Sequence, residues 1–320
     1  MESLLNKKNV IGFAKGEKWT NGKPTGKEAM LVFVENKEPV SSLSKKDIIE
    51  DEIDGLPTDV VGKSGKMTAM LKLPKRTRAR RLGIKRFSYI KPNAIRSKKI
   101  KTRGLRRFNP RRRTRPLLGG ISVSHKDVTA GTIGGVFIDK RKKVVILSNN
   151  HVLANSNNAK AGDPIYQPGT ADSKRTPANI VGYLKAYLPL RNNTNQDSAI
   201  AVIKSGYLRN QINRIGAAKG FARAKRALKV MKSGRTTGLT YGRVLATNGT
   251  FRVWYSDTKS YILKQCIVTT CMCDGGDSGS LLLNRKNRRI VGLLFAGSNS
   301  FSLHNHIAPI VKKYGLKLLK

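Results

Sequence analysis

Acidic residues nearly disappear from this chain once its first sixty positions are passed. No glutamate follows Glu52, and residues 60–320 hold 8 acidic side chains against 54 lysines and arginines. Residues 1–59 carry 11 acidic and 9 basic side chains, so the formal net charge of +44 arises entirely beyond Asp59. Long hydrophobic runs are also missing. Nowhere do roughly 18 apolar residues run together, which excludes a membrane-spanning helix and predicts no membrane partner. The start, Met1-Glu2-Ser3-Leu4-Leu5-Asn6-Lys7, lacks the charged-then-apolar-then-small order of a secretion leader, so a cytoplasmic location is expected, with leaderless export as the alternative. Cysteine is scarce: Cys266, Cys271 and Cys273 are odd in number and crowded together. Their Cys-x-Cys spacing is wrong for a zinc knuckle and no histidine lies nearby in sequence, so neither a metal site nor a cofactor is expected. Two readings of the thiols stand: one bridge in an oxidising setting, or free buried thiols in a reducing compartment.

What the chain does contain is β-rich. With 320 residues and 39% hydrophobic content it exceeds one average domain and can bury a sizeable core. After Gly119, short β-branched runs alternate with Gly, Asn, Pro and Lys-Arg turns, which predicts an all-β sandwich or barrel. Two segments read as helices: residues 217–231, linking two parts of the β region, and residues 307–319, amphipathic with Lys on the outer face. Residues 72–115 hold 20 Lys or Arg and no acid, with Gly83, Pro92, Gly104 and Pro110 scattered among them. Mutual repulsion should keep this stretch extended. It is either a solvated linker or a contact for nucleic acid or another polyanion, since Lys and Arg that neutralise phosphates release counterions without reading sequence. Phe87, Tyr89 and Phe108 could stack on bases. Three units are expected: an N-terminal module (1–70), a basic linker (71–116) and a main domain (117–320).

Three short motifs carry chemistry. Ser148-Asn149-Asn150-His151-Val152 follows the β-rich run Val144-Val145-Ile146-Leu147. Gln196-Asp197-Ser198-Ala199 opens a strand of small alternating residues. Gly275-Gly276-Asp277-Ser278-Gly279-Ser280 precedes an apolar run, a polar turn and a second apolar run, the pattern of a strand pair. Each alone is as readily a turn aspartate, a core histidine or a glycine turn. Together they supply a buried Asp, a His and a Ser, the constituents of a relay in which His takes the Ser proton and Asp fixes the imidazole tautomer. The chain order His, Asp, Ser differs from that of subtilisins and α/β-hydrolases.

Residues 119–316 resemble the chymotrypsin-like (trypsin-like) serine peptidases, in particular a bacterial branch with an extra N-terminal segment. The resemblance rests on Gly119-Gly120-Ile121-Ser122-Val123, Leu147-Ser148-Asn149-Asn150-His151-Val152, Asp197-Ser198-Ala199-Ile200-Ala201, Gly276-Asp277-Ser278-Gly279-Ser280 and Val291-Gly292-Leu293-Leu294-Phe295-Ala296-Gly297. Near the N-terminus, Gly22-Lys23-Pro24-Thr25-Gly26 and Asp54-Gly55-Leu56-Pro57-Thr58-Asp59 are similar to that branch too. The resemblance implies a chymotrypsin-like double β-barrel with a small N-terminal module and a C-terminal helix. It also implies Ser278 as nucleophile, His151 as general base and then acid, and Asp197 as the group that orients it. By the same similarity the amides of Gly276 and Ser278 form the oxyanion hole, and Asp277 steadies that loop. In zymogens of the family a freed N-terminus supplies the cation for such an aspartate, and Leu117-Leu118-Gly119-Gly120 faintly resembles the sequence cut for it.

The implied substrate is a protein or peptide. Met272, six residues before Ser278, falls where tryptic members place an acidic pocket floor, so cutting after Lys or Arg is not expected. Asp274 could enter the pocket if the loop differs. Phe295, Ala296 and Gly297 form the opposite wall, whose main chain should pair with substrate as an added strand. The stretch Gly234-Arg235-Thr236-Thr237-Gly238 reads as a barrel turn, because the Lys-Ser/Thr of a phosphate loop is absent. Two other classes stand beside the endopeptidase: a catalytically silent fold that binds nucleic acid or serves structurally, and an esterase on the same apparatus.

Overall fold

The computed structural model describes residues 1–20, 23–62, 65–69, 108–203 and 208–319. The chain is mostly β, as expected, and its centre is two barrels. In the first, strands Gly135–Ile138, Val144–Ser148, Ala199–Ile203, Ile180–Tyr187, Pro164–Tyr166, Ser122–His125 and Gly131–Thr132 follow one another edge to edge. Residues 131–138 contribute to both ends of that order, which closes the sheet on itself. Its interior is filled by Ile121, Val123, Ile133, Ile146, Ile165 and other apolar residues. In the second, Lys229–Gly234, Leu281–Asn284, Ile290–Gly297, Phe301–His306, Ser260–Thr270 and Gly238–Trp254 form the order, and pairing of the first with the last closes it.

Register decides where the chemistry falls. In the first barrel Ala199 pairs with Ser148 and Ile200 with Leu147, antiparallel. The residues just after Ser148 and just before Ala199 therefore emerge at the same end of adjacent strands, and these residues are His151 and Asp197. His151 lies in a single helical turn, Asn150–Leu153.

The N-terminal residues extend the second sheet. Strands Val10–Thr20 and Lys23–Val34 form an antiparallel hairpin, and the first pairs with Gly238–Trp254 through Gly12 with Phe251 and Phe13 with Thr250. Leu56–Val61 runs parallel beside the hairpin. One hairpin face packs Phe33 against Phe251 and Phe301, with ring centroids 5.1 and 4.5 Å apart. The other carries its own cluster of Leu4, Leu5, Phe13, Met30 and Val32.

Two local expectations change. Residues 217–226 form no helix, and Lys229–Gly234 is a strand. Ala, Lys and Arg favour helix, but here the backbone is used as a sheet edge. Lys219 N–H bonds Arg288 O, Ala222 N–H bonds Ile290 O, and Gly220 between them takes φ +113°. The C-terminal helix is present but shorter, Ile307–Tyr314. Gly315 ends it in the left-handed conformation (φ +62°), and Lys317–Leu318 then pairs with Gly135–Ile138. Ile307, Ile310 and Tyr314 face inward, while Lys312 and Lys313 close the last turn.

Of the basic stretch, residues 72–107, with Phe87 and Tyr89, lie outside the described residues. Its end is fixed to the first barrel: Pro110 O accepts from Ser122 N–H at 2.9 Å, and Gln167 bonds Thr114 N–H and Arg112 O, each at 3.0 Å. Among the described residues no helix is long and apolar enough to cross a membrane, and no group of three or more His, Cys, Asp or Glu could hold a metal ion.

Candidate active site

His151 and Asp197 meet where the first barrel packs on the second, both fully buried. His151 Nδ1 lies 2.6 Å from Asp197 Oδ2, and the His151 N–H donates to Asp197 Oδ1 at 3.3 Å. Such a carboxylate holds the ring in one tautomer, with the proton on Nδ1 and the lone pair on Nε2. Three further groups fix Asp197. Tyr255 O–H donates to Oδ2 at 3.0 Å, Asn149 Nδ2 donates to the Asp197 carbonyl at 2.7 Å, and Asn305 Oδ1 accepts from its N–H at 3.0 Å. Burial, and then the Asp197 charge, raise the Tyr255 pKa well above the ordinary phenol value, so it stays a donor at neutral pH. His151 Nε2 is buried and has no hydrogen-bond partner among the described residues.

The loop 274–280 carries Ser278 alongside the turn that holds His151. The Ser278 carbonyl accepts from Thr132 N–H at 2.7 Å. Gly131, next to Thr132, packs so tightly on Val152, the neighbour of His151, that a methyl group there would collide with it. The Ser278 hydroxyl makes no hydrogen bond among the described residues.

Two glycines make the loop's shape available. Gly276 and Gly279 both take φ +93°, and a Cβ on either would collide, with Thr236 Oγ1 and with Ser148 Oγ respectively. The loop amides divide in an informative way. Asp274 N–H donates to Asp277 Oδ2, Gly275 N–H to Asp274 Oδ1, Asp277 N–H to Asp274 O, Gly279 N–H to Leu294 O and Ser280 N–H to Asp277 O. Only the N–H groups of Gly276 and Ser278 are left unpaired in this run among the described residues. A pair of free amides on a glycine turn is the donor set that a developing oxyanion requires.

Asp277 already faces a cation in this structure. Its carboxylate is wholly buried against the Lys232 ammonium, 2.9 Å away and equally buried. It also accepts from Thr236 N–H (2.8 Å), Thr237 N–H (3.1 Å) and Thr237 O–H (2.6 Å). Burial alone would raise its pKa, but the Lys232 charge, the Thr237 hydroxyl and the Thr236 amide outweigh it and hold the carboxyl below the usual range. The turn 234–238 is thus a carboxylate cradle within a barrel hairpin. Arg235 braces the turn through an ion pair with Asp172, both nearly buried.

Lys232, Tyr255 and Asn305 were not among the residues that sequence reasoning brings forward. Only Lys232 leaves a trace, as a cation inside the strand run Val230-Met231-Lys232-Ser233.

The pocket candidates separate. Met272 packs with Val230, Val244, Ile267, Leu282 and Val291 inside the second barrel. Asp274 is exposed and spends its carboxylate on Gly275 N–H. Phe295 and Ala296 turn into the apolar cluster around Phe251 and Tyr255. The main chain of Gly297 is already paired with Thr68. Behind this wall His304 is buried, bonded through Nε2 to Thr269 Oγ1 at 3.0 Å and unpartnered at Nδ1 among the described residues. Burial first, and then the Lys232 charge, push its pKa down to about 3. No disulfide joins Cys266, Cys271 and Cys273, and burial raises each thiol pKa.

A family model described as a trypsin-like peptidase domain matches residues 131–293, just over half of the 320. Among solved structures, the chain is similar to a Nocardiopsis protease (NAPase), at 16% identity and TM-score 0.49, over 63% of this chain and 98% of that one. It is similar to Thermobifida fusca Protease A at 20% identity and TM-score 0.49, over 63% and 98% of the two chains. For Cellulomonas bogoriensis chymotrypsin the identity is 21% and the TM-score 0.47, over 63% and 97%. No curated protein sequence matches the chain.

Proposed function

Because this chain belongs to the trypsin-like peptidases, we propose that it is a serine endopeptidase working through an acyl-enzyme on Ser278. His151 Nε2 takes the hydroxyl proton as Ser278 Oγ attacks the scissile carbonyl, and Asp197 stabilises the imidazolium. The Gly276 and Ser278 amides receive the oxyanion. His151 then protonates the leaving amine, and water repeats the sequence on the acyl-enzyme.

The observation that carries this reading is the His151 ring, tied at Nδ1 to a buried Asp197 and left unpaired at Nε2 among the described residues. Among the described residues His304 also keeps one buried ring nitrogen unpaired, but its other nitrogen meets only the Thr269 hydroxyl, whereas His151 is held by a carboxylate that makes its free Nε2 a base. Ser–His bonds are commonly loose without substrate and tighten in the Michaelis complex. The Lys232–Asp277 pair supports activity that needs no new N-terminus. Asp274, exposed and engaged by Gly275 N–H, lends no charge to a pocket floor, which supports an apolar or small residue before the scissile bond.

Ser278→Ala tests the assignment. Removing the nucleophile of a comparable triad costs on the order of 10⁶ in kcat, so hydrolysis of a peptide library should vanish while circular dichroism stays unchanged. Retention of more than a few per cent of the wild-type rate would sink it. The wild-type digest also reports specificity, and predominant cutting after Lys or Arg would overturn the apolar preference.

A further inference from the structure

The two unpaired amides of the nucleophile loop are aimed by the carbonyls to which they are joined. A peptide unit is planar and trans, so its C=O and N–H point in opposite directions and holding one directs the other. Ser278 N–H shares a unit with the Asp277 carbonyl, which accepts from Ser280 N–H at 3.0 Å and from Ser280 Oγ at 2.5 Å. That unit is held from within the loop. Gly276 N–H shares a unit with the Gly275 carbonyl, whose partner among the described residues is Thr236 Oγ1 at 2.6 Å. Here the holding group comes from outside, from the turn 234–238 of the second barrel.

The Gly275–Gly276 unit is also the one with least support of its own. It joins two glycines, so no side chain resists a half-turn of its plane about the bonds on either side. Such a turn would exchange the Gly276 N–H for the Gly275 carbonyl, a partial negative charge where negative charge has to develop. A Cβ on Gly276 would meet Thr236 Oγ1, Arg235 Nη1 and Arg235 Cδ within 3.1 Å, so these two side chains lie directly against the backbone they support.

The Thr236 hydroxyl has a single proton, and Arg235 decides where it goes. Arg235 Nη1 lies 3.1 Å from Thr236 Oγ1, and a guanidinium only donates. The hydroxyl therefore accepts there and gives its own proton to Gly275 O. The Arg235 main chain does the same for a second hydroxyl: its N–H donates to Thr132 Oγ1 at 3.0 Å, and Thr132 Oγ1 donates to Gly276 O at 2.8 Å. Arg235 is itself buried and gripped bidentately by Asp172, through Nε to Oδ2 at 2.7 Å and through Nη2 to Oδ1. Asp172 lies between the first-barrel strands Pro164–Tyr166 and Ile180–Tyr187, and Ser122 O–H donates to its Oδ2 at 2.6 Å.

We propose that Thr236 is a positioning residue for the oxyanion hole: its hydroxyl keeps Gly276 N–H turned toward the developing oxyanion, and the Arg235–Asp172 pair fixes that hydroxyl. The inference rests on the serine-endopeptidase reading and on its assignment of the Gly276 amide. Thr236 touches neither substrate nor the reacting atoms. It serves the transition state and leaves ground-state binding alone, because a substrate carbonyl asks little of Gly276 N–H until charge develops on its oxygen.

Thr236→Val removes the hydroxyl while keeping the outline of the side chain and the amide given to Asp277. For a peptide taken from the wild-type digest it should lower kcat about 10²-fold, the lower end of the cost of one oxyanion donor. KM should stay within about twofold, the split left by an interaction made only in the transition state. Affinity for a trifluoromethyl ketone of the same peptide should fall by a similar factor, since its adduct with Ser278 carries an oxyanion. Thr236→Ser returns a hydroxyl and should recover most of both losses. Arg235→Lys keeps the charge beside Asp172 but not the fork that reaches Asp172 and Thr236 together. It should also lower kcat, and combined with Thr236→Val should cost little more than Thr236→Val alone. Should Thr236→Val unfold by circular dichroism, Arg235→Lys decides on the same readouts. Unchanged kcat and ketone affinity in the folded variants, or a loss that Thr236→Ser leaves in place, overturns this inference alone. A wild type that neither takes a fluorophosphonate nor hydrolyses peptides overturns the endopeptidase reading, and this inference with it.

Discussion

Replacing Lys232 with methionine removes a charge and leaves its partner stranded. Asp277 sits fully buried 2.9 Å from the Lys232 ammonium, between the two residues whose amides are free. Its other bonds, from Thr236, Thr237 and Asp274, remain, so the loop keeps its outline but encloses an uncompensated anion. Breaking a buried pair from one side costs about 3–5 kcal/mol. Misplacing one oxyanion donor costs about 10²–10³ in kcat. The variant should therefore lose stability in urea unfolding at unchanged m-value and lose kcat more than KM changes. Acid sensitivity gives the sign check. Lys232 is a principal cause of the lowered Asp277 pKa, and a depressed carboxyl contributes stability that is complete above its ordinary value of 3.8 and lost as pH falls through the folded one. Lys232→Met should move that acid transition to higher pH. Adding Asp277→Asn should recover much of the lost stability, because the stranded charge is gone. A Lys232→Met protein within about 1 kcal/mol of wild type, at the top of the range for exposed rather than buried pairs, with unchanged kcat would refute the reasoning.

Tyr255→Phe deletes a buried bond to the charged Asp197, worth about 1.5–3 kcal/mol; kcat should fall roughly 10–100-fold with the fold retained by circular dichroism, and an unchanged kcat would contradict the role given to Tyr255. His304 has its folded pKa pushed down to about 3 from 6.5, so the unfolded chain gains its proton first, and stability should fall as pH drops from 6.5 toward 3. His304→Leu should flatten that slope by up to about 1.4 kcal/mol per pH unit, read by urea unfolding at pH 6, 5 and 4; parallel slopes would refute it. If the basic stretch contacts polyanions, full-length protein should be retained on DNA or RNA at roughly 50 mM salt, with a log–log salt slope near −0.7 to −0.9 per phosphate neutralised. Absence of retention would leave only the linker reading.

The strands around the site were legible because their patterns are strong. Val144-Val145-Ile146-Leu147 and Leu281-Leu282-Leu283 are β-branched or apolar runs bounded by polar turns, and both are central strands. Residues 217–226 misled because intrinsic helix preference is weak against tertiary pairing, here with Arg288 and Ile290. His151 and Asp197 could be paired from sequence because each ends or opens a readable strand. Lys232 could not be assigned to Asp277, since 63 lysines and arginines offer no way to choose among them. The pairing of Thr68 with Gly297 depends on a path through three dimensions that no local pattern records.

A fluorophosphonate probe, with the adduct located by peptide mass mapping, asks whether Ser278 is an activated nucleophile. A serine without a base is unreactive at neutral pH, so labelling requires the His151 ring to accept its proton. One adduct per chain on Ser278, abolished by His151→Ala, is the expected result. No adduct, or an adduct that survives His151→Ala, would contradict the assignment.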